Sequence, residues 1–167
     1  MAPITSRVTN VVLAGLGGQG VIKASDILAE AAFAAGLDVK KSELHGMSQR
    51  GGSVTSDVRF GGEVRSPMVP PGEADYLVVL APDQVEPNRH LLREGGVVIA
   101  PDAVDEKSLP DRRSLNVALL GALSARLSIA REHWLSALHA NLPEKLHKAN
   151  EEAFDLGRSA QGKKALQ

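Results

Sequence analysis

A segment that reads as a buried strand, residues 8–14 (VTNVVLA), ends in Gly15-Leu16-Gly17-Gly18-Gln19-Gly20, and a helical period begins straight after it. A buried strand that turns this sharply into a helix needs glycines, because a Cβ obstructs the close approaches and left-handed conformations involved. Val21, Ile22, Ser25, Leu28, Ala29 and Ala32 mark one helical face. Gly36 stands just past the last turn, where a residue of positive φ is wanted. Residues 37–41 are short enough for a second strand, so the chain opens as βαβ with an expected right-handed crossover.

Further along, residues 42–52 (SELHGMSQRGG) have no clean period and read as a polar loop. Residues 53–60 alternate as a half-exposed strand does, with Val54, Ser56 and Val58 on one face. Gly61-Gly62 suits a hairpin turn, with residues 63–66 returning antiparallel. Pro67, Pro70, Pro71 and Gly72 impose an irregular link before a second buried strand at residues 74–80. A helix is expected from Ala81-Pro82-Asp83 to about Leu92, ended by Gly95-Gly96, and then a core strand at residues 97–100. Residues 105–114 read as a polar connection or an edge strand; helices follow over 117–128, 131–140 and 143–156. The expectation is an α/β fold: one Rossmann-like domain with a mostly parallel sheet, an antiparallel hairpin and a helical C-terminal region. Residues 1–157 form the domain and 158–167 a flexible tail.

Composition narrows the function. The 167 residues suit one domain, and 43% hydrophobic with 23% charged residues is globular. A net charge of −1 offers no basic field for a phosphodiester backbone, and 3% aromatic content leaves no stacking platform for single strands. With no cysteine, the chain has no disulfide, no thiol nucleophile and no thiolate for zinc or an iron–sulfur cluster. No apolar run reaches the length of a membrane span, which places the protein in the cytoplasm as an expectation.

Two segments carry chemistry. Gly15, Gly17, Gly18, Gln19 and Gly20 satisfy G-x-G-x-x-G between strand and helix, where free N–H groups and the helix dipole favour an anion. A dinucleotide reading also wants an acid at the end of the second strand. Lys40, Lys41 and Ser42 stand there instead, with Glu43 beyond; the lysines would suit a 2′-phosphate. An unspecified phosphate contact, or a tight turn that binds nothing, stays open beside it. The second segment is His45-Gly46-Met47-Ser48-Gln49-Arg50-Gly51-Gly52. Arg50 can hold a carboxylate or phosphate in a fork, Gly51 and Gly52 expose backbone donors, Ser48 and Gln49 add polar contacts, and His45 can act as acid or base. The plain alternative is a surface loop whose arginine caps a helix or pairs with a neighbouring chain.

Other residues read as structural. Ser48 with His45 lacks an orienting acid for a triad. His133, His139 and His147 fall at offsets that place them on different helix faces, so no zinc site is expected. Asp75 and Asp83 bracket a core strand, Asp83 in place to stabilise a helix N-terminus. Trp134 belongs to helix core, and Asn150, Glu151 and Glu152 to a solvated face.

Taken in order, the glycine turn, the HGMSQRGG loop, Ser66-Pro67 before Ala74-Asp75-Tyr76-Leu77, Asn116-Val117-Ala118-Leu119-Leu120-Gly121-Ala122, Glu144-Lys145 and Asn150-Glu151-Glu152-Ala153-Phe154 resemble the gamma-type domain of 2-oxoacid:ferredoxin oxidoreductases. The loop version most resembles the beta subunit of the indolepyruvate enzymes. The likeness spans about residues 10–157. It implies oxidative decarboxylation of an aryl pyruvate to an aryl acetyl-CoA with reduction of ferredoxin. It also implies that thiamine diphosphate, Mg²⁺ and the clusters sit on a larger alpha subunit, with coenzyme A as co-substrate. This chain would bind no cofactor alone and would be inactive without its partner in a hetero-oligomer. The resemblance places Arg50 as an anion contact and His45 as a proton donor at the subunit boundary. A stand-alone NAD(P)-binding protein and a purely structural assembly subunit are the competing readings.

Overall fold

The computed structural model describes residues 7–45 and 52–165. Strand β1 (Thr9–Leu16) lies at the centre, which is why Val11, Val12, Leu13 and Ala14 are wholly buried and apolar in succession. Strand β3 (Ser53–Gly61) pairs antiparallel on one side of it and β4 (Ala74–Val79) parallel on the other. At the edges, β2 (Asp38–His45) runs antiparallel to β3 and β5 (Leu92–Ile99) parallel to β4, giving the order β2-β3-β1-β4-β5. Both β1 and β2 run against β3, so every strand but β3 shares one direction.

One sheet face carries the main core. Val54, Val58 and Phe60 of β3, with Val11 and Leu13, meet α1 (Val21–Ala34), α3 (Leu115–Ser124), α4 (Arg131–Asn141) and α5 (His147–Ala165). Trp134 and Phe154 are fully buried there, their ring centroids 5.6 Å apart. On the other face Val12, Ala14, Leu77 and Val79 are covered by Val69 from the proline-rich link and by Val85 and Leu91. The link is held by Asp57 and Arg59 of β3: Val69 N donates to Asp57 Oδ2 at 2.8 Å, and Arg59 Nη1 donates to the Ser66 carbonyl at 2.8 Å.

Several local expectations are corrected. The strand expected to end at Lys41 continues to His45, because its whole length pairs with β3; the antiparallel hairpin is therefore β2–β3, not residues 53–66. Residues 63–66 form no strand; Val64 is buried, donating N–H to Asp38 Oδ2 at 2.7 Å and accepting from Lys40 Nζ. The single helix expected up to Leu92 is a run of short turns around α2 (Val85–Asn88). Gly95-Gly96 lies inside β5, where the pairing with β4 shifts register between Ala74 and Tyr76, and Gly95 takes φ +78°. Residues 105–114 hold 3₁₀ turns rather than a strand. Helix α5 continues past Gly157: Arg158 Nη1 donates to Ser124 Oγ at 3.3 Å, and Gln161 Nε2 to the Ala103 carbonyl at 3.4 Å. Asn150 is buried rather than solvated. No helix among the described residues is long and apolar enough to cross a membrane.

Candidate functional site

The glycine turn closes the C-terminal end of β1, where the chain departs to one side through α1 and later returns on the other side as β4. Such a crevice is where open α/β sheets take their ligands. Its shape is fixed locally. Gln19 N donates to the Leu16 carbonyl at 3.1 Å, and the Gln19 side chain folds back so that Oε1 accepts Leu16 N–H at 2.7 Å. Gly18 and Gly20 take φ of +90° and +86°. A Cβ on Gly15 would stand 2.8 Å from Gln19 Oε1, so that glycine is needed for the folded-back amide.

Gly20 is the N-cap of α1, with no side-chain cap and no acid in the first turn. Its carbonyl accepts Ala24 N–H at 3.0 Å and the Asn116 amide at 3.2 Å, while Asn116 Oδ1 accepts Val117 N–H at 2.9 Å. A Cβ at Gly20 would lie 2.5 Å from that amide nitrogen, so the turn and the start of α3 are fitted to one another. Around them lies an open cavity of about 320 Å³, lined also by Lys23, Leu80 and Arg112. Arg113 is engaged by Asp111 at 3.0 Å, whereas neither Lys23 nor Arg112 meets a carboxylate among the described residues. Helix dipole, uncapped N–H groups and two cations make this end of the sheet attractive to a phosphate or carboxylate.

The polar loop springs from the same end. His45 of β2 and Gly15 of β1 both register with Val54 of β3, and Gly17 N–H donates to the Gly52 carbonyl at 2.9 Å. Ser53 Oγ, next in the chain, donates to Gln84 Oε1 at 3.0 Å. Gly46, Met47, Ser48, Gln49, Arg50 and Gly51 lie outside the described residues, but both ends of their segment are anchored beside the turn. Lys23 stands in the first turn of α1, three residues past Gly20, whereas Arg112 and Asn116 have no local sequence signal tying them to the turn; only the packing of the start of α3 against it brings them there.

The second-strand lysines go elsewhere. Lys41 Nζ is held between Asp26 and Glu43; burial alone would lower its pKa, but the hydrogen bonds it donates to both carboxylates, with their charges, outweigh this and raise it. Lys40 reaches the Val64 carbonyl. Strand β3 also separates β2 from β1, which removes the neighbour that a ribose-binding acid would occupy in a dinucleotide site. His139 and His147, expected on different faces, stack at 4.2 Å across α4 and α5, with His139 Nε2 2.5 Å from Glu151 Oε1. Even so, no group of three metal-ligating side chains occurs among the described residues.

A family profile described as pyruvate ferredoxin/flavodoxin oxidoreductase matches residues 10–114. Indolepyruvate oxidoreductase subunit IorB of Pyrococcus horikoshii is 33% identical, over 90% of this chain and 95% of its own length. The keto/oxoacid ferredoxin oxidoreductase gamma subunit from Geobacter sulfurreducens shares the fold, with a TM-score of 0.80 at 23% identity over 95% of this chain and 98% of that one. A chain of the Magnetococcus marinus 2-oxoglutarate:ferredoxin oxidoreductase, solved with 2-oxoglutarate, coenzyme A and succinyl-CoA bound, superimposes equally well at TM-score 0.80. There the identity is 24%, and the match covers 97% of this chain and 32% of that one.

Proposed function

Because the chain belongs to the pyruvate ferredoxin/flavodoxin oxidoreductase family, we propose that it is the small, non-redox subunit of a thiamine-diphosphate-dependent indolepyruvate:ferredoxin oxidoreductase. At the family level it is a component of a 2-oxoacid:ferredoxin oxidoreductase. The overall reaction converts an aryl pyruvate, coenzyme A and oxidised ferredoxin to an aryl acetyl-CoA, carbon dioxide, a proton and reduced ferredoxin, which takes the two electrons released. Thiamine diphosphate supplies the acyl-carbanion chemistry of that reaction from the larger subunit.

This chain's residues do not fit the redox groups. It has no cysteine to ligate iron, and its described residues include no group of three carboxylate or imidazole side chains that could hold a metal ion. Its part is to bind and orient. The N-terminus of α1, with Lys23 and Arg112, holds an anionic portion of coenzyme A or the carboxylate of the oxoacid. The loop from His45 to Gly52 lies at the boundary with the large subunit, Arg50 contacting an anion and His45 donating a proton. Ser48, Gln49 and Gly51 complete the loop's contacts.

The observation that supports this reading most is the hydrogen bond from Gly17 N–H to the Gly52 carbonyl, which ties the anion-favouring turn to the loop. The test is an Arg50→Ala variant reconstituted with its large subunit. Turnover should fall by at least about 100-fold, as loss of a charge-assisted contact in a desolvated site allows, while the complex still elutes intact. Dissociation of the complex would make the loop an interface only. Coenzyme A-dependent oxoacid oxidation by this chain alone would refute the assignment.

A further inference from the structure

At the other end of β1 from the glycine turn, a cavity of about 260 Å³ opens between the start of the sheet and the segment after α3. Three arginines frame it: Arg7 before β1, Arg93 in β5 and Arg126 just after α3. The one carboxylate among its lining residues is Asp75, whose side chain is 9% exposed. Asp75 Oδ1 takes both Arg7 Nη2 at 2.8 Å and Arg93 Nε at 2.7 Å, and Oδ2 is spent on the Asn10 backbone N–H at 2.8 Å. Arg126 makes no ion pair and no side-chain hydrogen bond among the described residues. Three guanidinium charges therefore face one carboxylate, an excess of two positive charges.

The arrangement is oriented as well as charged. Asp75 holds Arg7 and Arg93 side by side while most of their N–H donors remain unspent, and Arg126 lines the cavity from the segment after α3. That segment is braced by Tyr76, whose hydroxyl donates to the Arg126 carbonyl at 3.4 Å. Phe60 and Ile129 supply an apolar lining. Guanidinium forks suit the oxygens of a phosphate, and the apolar lining suits a ring or short branched chain.

We propose that this cavity is a binding site for a small phosphomonoester with an apolar body, separate from the glycine turn. The head group lies among Arg7, Arg93 and Arg126, and the apolar body lies over Phe60 and Ile129. Because the arginines are partly exposed, affinity falls as salt rises. The site does not depend on the proposed role in an oxidoreductase complex, and the full chain by itself suffices to test it.

The probe is phenyl phosphate, titrated into isotopically labelled full-length chain at low salt and followed by amide NMR shifts, with benzoate and inorganic phosphate as comparators. Saturable shifts at Thr9, Tyr76 and Ser128 are expected, with both comparators weaker. Arg126→Gln should weaken binding about tenfold, the loss of one charge-assisted contact, with an unchanged thermal midpoint because the Arg126 side chain holds no partner among the described residues and its carbonyl is kept. Lys23→Gln, at the glycine turn, should leave binding unaltered. The proposal is overturned by no saturation up to about 10 mM, a range covering weak small-ligand binding. It is also overturned if benzoate binds as well as phenyl phosphate, if Arg126→Gln binds like the parent, or if the shifts are confined to residues 18–23 and spare Thr9, Tyr76 and Ser128.

Discussion

Gly121 of α3 and Gly157 of α5 meet where the two helices cross, each with the other helix's backbone standing where its own Cβ would be. The Phe154 carbonyl fills that place for Gly121, and the Ala118 carbonyl for Gly157. Such close approach buries Phe154 against the sheet and requires both positions to lack a side chain.

Gly157→Ala should therefore destabilise the fold despite alanine's better helix propensity. The propensity gain is about 1 kcal/mol, but forcing the helices apart costs more, for a net loss of about 2 kcal/mol. Thermal melting should show a drop of roughly 4–8 °C for a chain of this length. Gly36→Ala provides the contrast: φ is +86° but no atom lies within 4 Å of a Cβ there, so only the left-handed penalty of about 1–2 kcal/mol applies. Equal stability of Gly157→Ala and the parent would contradict the crossing.

The same pair explains where sequence reading succeeds and stops. The turn from Gly15 to Gly20 is legible because its determinants are local: a buried strand, glycines at positive φ, and a helix within a few residues. Gly157 reads as the start of a frayed end because the residues from it onward offer little to bury; only the backbone of α3, far away in sequence, gives it a purpose. Gly95-Gly96 misleads in the same manner, since a bulge opposite Ala74 and Tyr76 is a property of the partner strand. Strand β2 runs on into polar residues for a similar reason: at a sheet edge, pairing with β3 and not apolar burial keeps residues 42–45 extended. Arg112 and Asn116, far from the turn in sequence, join the site only after the chain folds, so no spacing rule points to them.

Gln19 separates the turn's architecture from its affinity for anions. Gln19→Ala removes the acceptor of Leu16 N–H and should cost about 1 kcal/mol in chemical denaturation. Gln19→Glu keeps an acceptor and places a negative charge beside an uncapped helix N-terminus, so stability should be retained or rise slightly. Phosphate binding at the turn should weaken in Gln19→Glu, because the new carboxylate competes for the same field. A Gln19→Glu variant that binds phosphate as well as the parent would remove the anion role from this turn.

Asp57 gives a pH dependence of known sign. Burial pushes its carboxyl pKa above the usual 3.8, outweighing the Val69 N–H bond and the attraction of Arg59, which both lower it. The folded state thus holds this proton more tightly than the unfolded state, so the contribution is full below the unfolded value and is lost as pH rises through the folded one. Asp57→Asn keeps an acceptor for Val69 N–H without the charge. Its stability relative to the parent should improve as pH rises from below the unfolded value through the folded one, and then level off, in urea titrations. A margin that stays flat, or shrinks with rising pH, would show that Asp57 is not strained by burial.

Lys23 and Arg112 carry the functional reading into kinetics. Neither pairs with a carboxylate among the described residues, so Lys23→Ala and Arg112→Ala should leave thermal stability within about 0.5 kcal/mol of the parent, as surface changes do. Reconstituted with the large subunit, each should raise the KM for coenzyme A about tenfold, the loss of one charge-assisted contact. The kcat at saturation should hold, because an anion gripped equally before and during reaction contributes uniform binding. If KM for the oxoacid rises instead, the turn holds the substrate carboxylate rather than a coenzyme A phosphate. If neither constant moves, the uncapped end of α1 faces solvent in the assembled enzyme, and anion contact would pass to Arg50 in the adjoining loop.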